Sequence, residues 1–88
     1  MKYEFSTSFS RQFQAIKSKE LALNVITIIE LVSRAETARD IPNIKKLKGH
    51  KTAFRIRIGD YRIGVFIESN EVFFTALFHR KDIYKRFP

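Results

Sequence analysis

Cysteine is missing from this 88-residue chain, so neither a disulfide framework nor a thiolate metal site can add to its stability. That suits a reducing cytosol, and a cytoplasmic protein is the expectation. Histidine occurs twice, at His50 and His79, with no Asp or Glu cluster at ligand spacing beside either, so metal catalysis is poorly supported. No stretch approaches the roughly 18 apolar residues of a membrane span, and Met1–Phe5 holds no long apolar run of the kind that opens a leader peptide. The three glycines form no phosphate-cradling loop, and no Gly-x-Ser-x-Gly elbow presents a serine nucleophile. Acidic residues are scarce in the second half: residues 45 to 88 carry eleven basic and four acidic side chains, whereas residues 1 to 44 carry six and five. The second half therefore holds almost all of the net charge of +8, a density that commonly meets nucleic acid, an anionic membrane or an acidic protein.

Much of that positive charge is interleaved with an apolar phase in Phe54-Arg55-Ile56-Arg57-Ile58-Gly59-Asp60-Tyr61-Arg62-Ile63-Gly64-Val65-Phe66-Ile67. Successive strand side chains face opposite sides of a sheet, so Phe54, Ile56 and Ile58 share one face while Arg55 and Arg57 share the other. A two-residue Gly59-Asp60 turn fixes the register and predicts Ile58 opposite Tyr61, Arg57 opposite Arg62, Ile56 opposite Ile63 and Arg55 opposite Gly64. Like charges placed opposite each other cost stability. Three guanidinium groups beside a residue with no side chain are therefore expected to be shaped around a polyanion such as RNA.

The rest of the chain supplies a cover for the apolar phase. Tyr3 and Phe5 alternate with Lys2 and Glu4, which predicts a first strand over Met1–Phe5. Ser6-Thr7-Ser8 offers capping hydroxyls before Phe9, Phe13 and Ile16, the spacing of a short amphipathic helix. A second helix is predicted from about Ser18 to Arg34, with Leu21, Val25, Ile28 and Val32 as its apolar stripe and Ile29 widening it. Periodicity disappears between Ala35 and Lys51, which reads as a connecting loop. Strands are predicted over about Thr52–Ile58, Tyr61–Ile67 and, after a Glu68-Ser69-Asn70-Glu71 turn, Val72–Phe78.

These strands form an antiparallel meander. A two-residue Ser69-Asn70 turn places Ile67 opposite Val72, Val65 opposite Phe74, Gly64 opposite Thr75 and Ile63 opposite Ala76. The expected architecture is a single α+β domain over residues 1–88: an N-terminal strand, a helical hairpin and an antiparallel β-meander, with two helices on one face of the sheet. The helix-covered face is expected to hold Phe54, Ile56, Ile58, Tyr61, Ile63, Val65, Ile67, Val72, Phe74, Ala76 and Phe78. The opposite face is expected to hold Arg55, Arg57, Arg62, Gly64 and Thr75, with His79 emerging on the same side. Phe66, Phe73 and Leu77 also point that way, which calls for cover from the C-terminal segment or a partner.

Cations beside His79, Arg80 and Tyr84 suit phosphodiester chemistry on RNA without a metal or other cofactor. RNA carries its own nucleophile, the 2′-hydroxyl. An enzyme need only help deprotonate it, hold the phosphate in line, neutralise the phosphorane and protonate the departing 5′-oxygen. Arginine and lysine suit the middle two tasks. A histidine titrates near neutrality, and a tyrosine stacks on a base or shares the proton work. Taken singly, each residue has a plainer alternative: His79 as a solvated strand end, Tyr84 as a packed aromatic, each arginine as a solvated or partner-paired charge.

Lys46-Leu47-Lys48-Gly49, the Phe54–Ile63 stretch and His79-Arg80-Lys81-Asp82-Ile83-Tyr84 together resemble the RelE/ParE superfamily of toxins, and the likeness spans nearly the whole chain. The resemblance implies a toxin of the RelE branch, a ribosome-dependent, metal-independent messenger-RNA endoribonuclease that inhibits translation and is neutralised by a cognate antitoxin. By resemblance, Arg55 and Arg57 match the basic strand pair that handles phosphate, and Arg62 matches the arginine after the hairpin tyrosine. Arg80 and Tyr84 match the C-terminal arginine and tyrosine, and His79 matches branches with a histidine before that arginine. Lys45, Lys46, Lys48, Lys51, Lys81 and Lys85 are candidate RNA contacts. Arginine stays charged, so proton transfer is assigned to His79 or Tyr84 and the arginines are left as phosphate binders.

The ParE branch shares the architecture but poisons DNA gyrase, and it is the alternative, together with a non-catalytic RNA- or partner-binding module. An acidic amphipathic antitoxin segment is the expected cover for the exposed arginines with Phe66, Phe73 and Leu77, and the oligomeric state is expected to follow from that complex.

Overall fold

A computed structural model describes every residue from Met1 to Pro88. Its elements are β1 (Lys2–Phe5), α1 (Thr7–Gln14), α2 (Lys19–Arg34), a short 3-10 turn (Ala38–Asp40), β2 (Ile44–Lys46), β3 (Ala53–Ile58), β4 (Tyr61–Glu68), β5 (Glu71–His79) and α3 (Ile83–Arg86). All five strands join one sheet in the order β1-β5-β4-β3-β2. The β1–β5 pair is parallel and the other three pairs are antiparallel. No helix is long and apolar enough to cross a membrane.

The helices begin where the hydroxyls predict. Ser6 Oγ accepts from the Phe9 N–H at 3.0 Å and Ser18 Oγ from the Leu21 N–H at 3.1 Å, each satisfying a donor that the first helical turn leaves free. Phe9, Val25, Ile28 and Val32 then bury themselves against Ile56, Ile58, Ile63, Val65, Val72 and Phe74. The β4–β5 turn has Ser69 and Asn70 both in the left-handed region, at φ 48° and 61°, which matches the right-handed twist of a two-residue hairpin.

The β3–β4 register agrees with the sequence expectation pair by pair, from Ile58 opposite Tyr61 to Arg55 opposite Gly64. Between β4 and β5 the expectation holds only near the turn. Ile67 opposes Val72 and Val65 opposes Phe74, but Gly64 opposes Ala76 and Ile63 opposes Leu77, leaving Thr75 as an extra residue in a β-bulge. The cause lies at the sheet edge. β1 covers β5 only from Glu71 to Phe74, and the chain then leaves the sheet to begin α1. From there α1 takes over: the Ser6 N–H donates to Phe74 O at 2.9 Å, Ser6 Oγ donates to Thr75 O at 3.0 Å, and the Leu77 N–H donates to Gln12 Oε1 at 2.7 Å.

A one-residue shift exchanges the two faces of a strand. Leu77 is therefore buried in the helix-covered core, where Ala76 and Phe78 were expected, and those two lie on the other side with Ala53, Phe66, Ile83 and Phe87. His79 is carried across as well. It pairs with Tyr61 and meets that ring edge-on at 5.5 Å, on the helix-covered side, instead of joining the arginines. Three further elements depart from the sequence reading, the 3-10 turn at Ala38–Asp40 being the first. The region read as a loop contains β2, which extends the sheet beyond β3, and the C-terminus forms the single turn α3.

Candidate nucleic-acid interface

Strand pairing lays the basic residues in two rows. Lys45, Arg55, Gly64 and Ala76 form one row across β2 to β5, and Arg57, Arg62 and Phe78 form the next across β3 to β5. None of these cations has a carboxylate partner. The one ion pair of the fold joins Arg80 Nε to Asp60 Oδ1 at 3.8 Å, with both side chains exposed at the β3–β4 turn. The other guanidinium groups lean on carbonyl oxygens. Arg55 Nη1 donates to Asn43 O at 3.1 Å, while its buried Nε has no partner. Arg62 Nη1 donates to Gly59 O at 2.8 Å and to Tyr61 O at 2.9 Å, which folds this side chain back over the hairpin turn.

Arg55, Arg57 and Lys45 line a shallow depression of about 310 Å³ with Asn43 and Ile44. Like charges this close repel unless an anion lies between them, so the depression favours a phosphate or another multiply charged group.

The empty space expected beside Gly64 is filled by the chain itself. A Cβ placed on Gly64 would lie 2.6 Å from Phe87 Cγ, so the phenyl ring occupies the volume that a side chain would need. Around it, Ala53, Ala76, Ile83 and Phe87 form a second small core, with Leu47, Phe66 and Phe78 packed against it. The C-terminal segment therefore supplies the cover that Phe66 requires, and the expectation of a gap reserved for polyanion is corrected. What remains for a ligand is the rim of this cap.

On that rim Tyr84 is 61% exposed, although Ile83 beside it is fully buried. Tyr84 lines a second depression, of about 300 Å³, with Leu47, Lys48, His50, Phe87 and Pro88. His50 is held there by a turn in which its N–H donates to Leu47 O at 3.2 Å and Gly49 takes φ 82°, a conformation suited to glycine. Sequence reasoning passed over His50 because it sits in an aperiodic stretch. The Lys48-Gly49-His50 turn was the available signal, since glycine there returns the chain towards the sheet.

Of the expected site residues, the fold brings Arg55 and Arg57 together with Lys45, and Tyr84 together with Lys48. Arg62 and Arg80 gather at the β3–β4 turn, where the Arg80 N–H also donates to Asp60 O at 2.7 Å. Lys51, Lys81 and Lys85 are exposed on connecting segments and α3. Lys46 pairs with Phe54 and so points to the other face from Arg55, and His79 stands beside Tyr61 with Nδ1 accepting from the Lys81 N–H at 3.1 Å. Arg86, absent from the sequence-based set, lies over the Phe78 ring at 5.6 Å, within reach of a cation–π contact.

No protein-family profile matches the chain. A curated toxin, RelE3 of Methanocaldococcus jannaschii, is 33% identical over 89 residues, a match that covers all of both sequences. Among solved structures, the RelB-RelE antitoxin-toxin complex from Methanococcus jannaschii contains a chain with TM-score 0.79 and 30% identity, covering 96% of this chain and 98% of that one. The archaeal RelE-RelB complex from Pyrococcus horikoshii OT3 matches at TM-score 0.74 and 16% identity over 93% of this chain and 97% of that one, a likeness of fold. With 33% identity over its full length to a RelE toxin and the fold of a solved RelE chain, the chain belongs to the RelE family of toxins.

Proposed function

We propose that this toxin is a ribosome-dependent messenger-RNA endoribonuclease, held inactive by a cognate antitoxin. The observation that carries the reading is the carboxylate-free cationic surface on which Lys45, Arg55 and Arg57 share one depression while an exposed Tyr84 shares the next with Lys48 and His50. Guanidinium groups grip phosphate through paired N–H donors and remain charged throughout, so Arg55, Arg57 and Arg62 hold the backbone and offset charge in the transition state. The 2′-hydroxyl attacks the neighbouring phosphorus, its proton goes to a base, and the 5′-oxygen leaves with a proton from an acid. The products are a 2′,3′-cyclic phosphate and a 5′-hydroxyl end. For proton transfer the geometry favours Tyr84, which shares a depression with Lys48 on the sheet's open side, over His79 on the helix side.

The relatives whose structures contain an antitoxin support a partner of the same kind here. The unpaired arginines and the net charge of +8 favour an acidic one.

The test mixes purified toxin with programmed ribosomes and end-labelled messenger RNA, beside parallel reactions of naked RNA and of gyrase with supercoiled DNA. Cleavage at A-site codons only in the ribosome reaction supports the proposal. Intact RNA together with impaired gyrase would overturn it and move the chain's activity to that of a gyrase poison.

A further inference from the structure

We infer that Phe87, seated on Gly64, is the positioning residue that holds Tyr84 against the Lys48–His50 turn, an inference that rests on the proposed role of Tyr84. A four-residue helix such as α3 cannot hold itself in water, so its orientation comes from whatever anchors it to the sheet. Two anchors are present, one helical turn apart: Ile83, fully buried, and Phe87, 3% exposed, joined by a hydrogen bond of 2.7 Å from the Phe87 N–H to Ile83 O. Tyr84 follows the first anchor by one residue, about 100° around the helix, and so is directed outwards when both are seated.

The seat itself is narrow. A Cβ on Gly64 would meet Phe87 Cγ at 2.6 Å and both Cδ atoms at 2.7 Å, while the Gly64 φ lies outside the left-handed region. Its backbone does not call for glycine, and the atoms nearest to the missing side chain belong to the Phe87 ring. The Phe66 ring lies 5.1 Å from that of Phe87 at an interplanar angle of 55°. Phe87 also lines the depression that contains Tyr84, so moving this ring shifts both the wall of the site and the tyrosine it presents.

The test uses full-length toxin with Phe87→Ala, Phe87→Leu, Tyr84→Ala and the Phe87→Ala/Tyr84→Ala double variant in single-turnover cleavage on programmed ribosomes. Ribosome affinity is measured alongside. Because a displacement of about 1 Å can cost roughly 100-fold in rate, Phe87→Ala is expected to slow cleavage by about that factor while ribosome affinity stays within about twofold. Phe87→Leu should recover part of the rate, and the double variant should be no slower than Tyr84→Ala alone, since residues acting through one another are not additive. Rate losses that multiply, or affinity that falls in step with rate, would overturn the inference. A second readout needs no activity: with 3-fluorotyrosine incorporated and Tyr3 and Tyr61 replaced by Phe, the single fluorine resonance reports Tyr84. It should shift in Phe87→Ala and return towards its original position in Phe87→Leu. An unchanged resonance in Phe87→Ala would refute positioning, even if the wild-type protein cut no RNA and the functional proposal itself had failed. Where Phe87→Ala does not fold, Phe87→Leu carries the same comparison, with a smaller shift and a smaller rate loss expected.

Discussion

Replacing Gly64 by Ala adds one methyl group, and its consequence can be worked from a single contact. Alanine is at least as good as glycine in a strand when φ is negative, and fixing the unfolded chain more tightly would by itself stabilise the protein by about 0.4–1 kcal/mol. Here the new Cβ would lie 2.6 Å from Phe87 Cγ, near the root of a ring that cannot swing aside as the end of a flexible chain would. If the ring shifts in place, overpacking costs about 1–3 kcal/mol. If it is expelled, the loss approaches the roughly 3–5 kcal/mol of a Phe→Ala substitution in a core. Gly64→Ala is therefore expected to cost about 1–4 kcal/mol in urea denaturation followed by circular dichroism. In a Phe87→Ala background the same methyl enters vacant space, and its cost should vanish or turn into a small gain. The double-mutant cycle isolates the clash, with an expected coupling of at least about 1 kcal/mol. Gly64→Ala within about 0.5 kcal/mol of wild type would refute the reasoning, and so would an equal cost in both backgrounds.

Ile63→Asp places a charge in the helix-covered core at a fully buried position, so the cost should exceed roughly 4 kcal/mol and leave little or no cooperative unfolding transition by circular dichroism. A normal transition would contradict the β3–β4 register. Arg62→Ala removes hydrogen bonds to two carbonyls at an exposed turn and should lower stability by about 1 kcal/mol or less, yet strongly weaken growth arrest on expression; full toxicity would remove Arg62 from the site. Raising sodium chloride from about 0.02 to 0.5 M shortens the screening length from about 20 to 4 Å, and should relieve repulsion among the unpaired arginines. Thermal melting should then rise by roughly 4–8 °C for each kcal/mol recovered, and a melting point that falls with salt would show that the arginine face is already compensated.

The sheet was legible wherever pairing is set by a local turn. Gly59-Asp60 and Ser69-Asn70 each fix the strands they join, and the residues next to them face as the alternation predicts. Five residues beyond Asn70 the prediction fails, for a reason no strand pattern contains. The bulge at Thr75 is stabilised by Ser6 and Gln12, which lie more than sixty positions away in sequence and reach β5 because β1 ends at Phe5. Leu77 and Phe78 are both apolar, so a run such as Phe73-Phe74-Thr75-Ala76-Leu77-Phe78 satisfies either phase with similar hydrophobic content. β2 escaped notice because Ile44-Lys45-Lys46 is three residues long and mostly charged, as edge strands often are.

The site was legible as chemistry and less so as geometry. Alternation placed Arg55, Arg57 and Arg62 on one face, and the fold keeps them there without a single carboxylate to offset them. Arg57 opposite Arg62 is an arrangement that costs a few tenths to about 1 kcal/mol, while the carbonyl oxygens of Asn43, Gly59 and Tyr61 satisfy some donors without neutralising the charge. Each guanidinium has five N–H donors, and these bonds use Nη1 alone on Arg55 and Arg62, so much of the fork that would grip a phosphate remains uncommitted. A guanidinium that never releases its proton can hold a phosphate but cannot serve as general base, so the proposed cleavage would need a proton carrier beside the arginines. His79 was the natural candidate by sequence, and the bulge carries it to the helix side. The tyrosine on the C-terminal turn is exposed beside Lys48, and three residues on from it a phenyl ring rests against a glycine that faces Arg55 across the hairpin. On the proposed reading, the strand that would bind phosphate and the segment that presents the tyrosine are joined through the pairing of Arg55 with Gly64, and an antitoxin that unseated the segment would separate the two roles without touching an arginine.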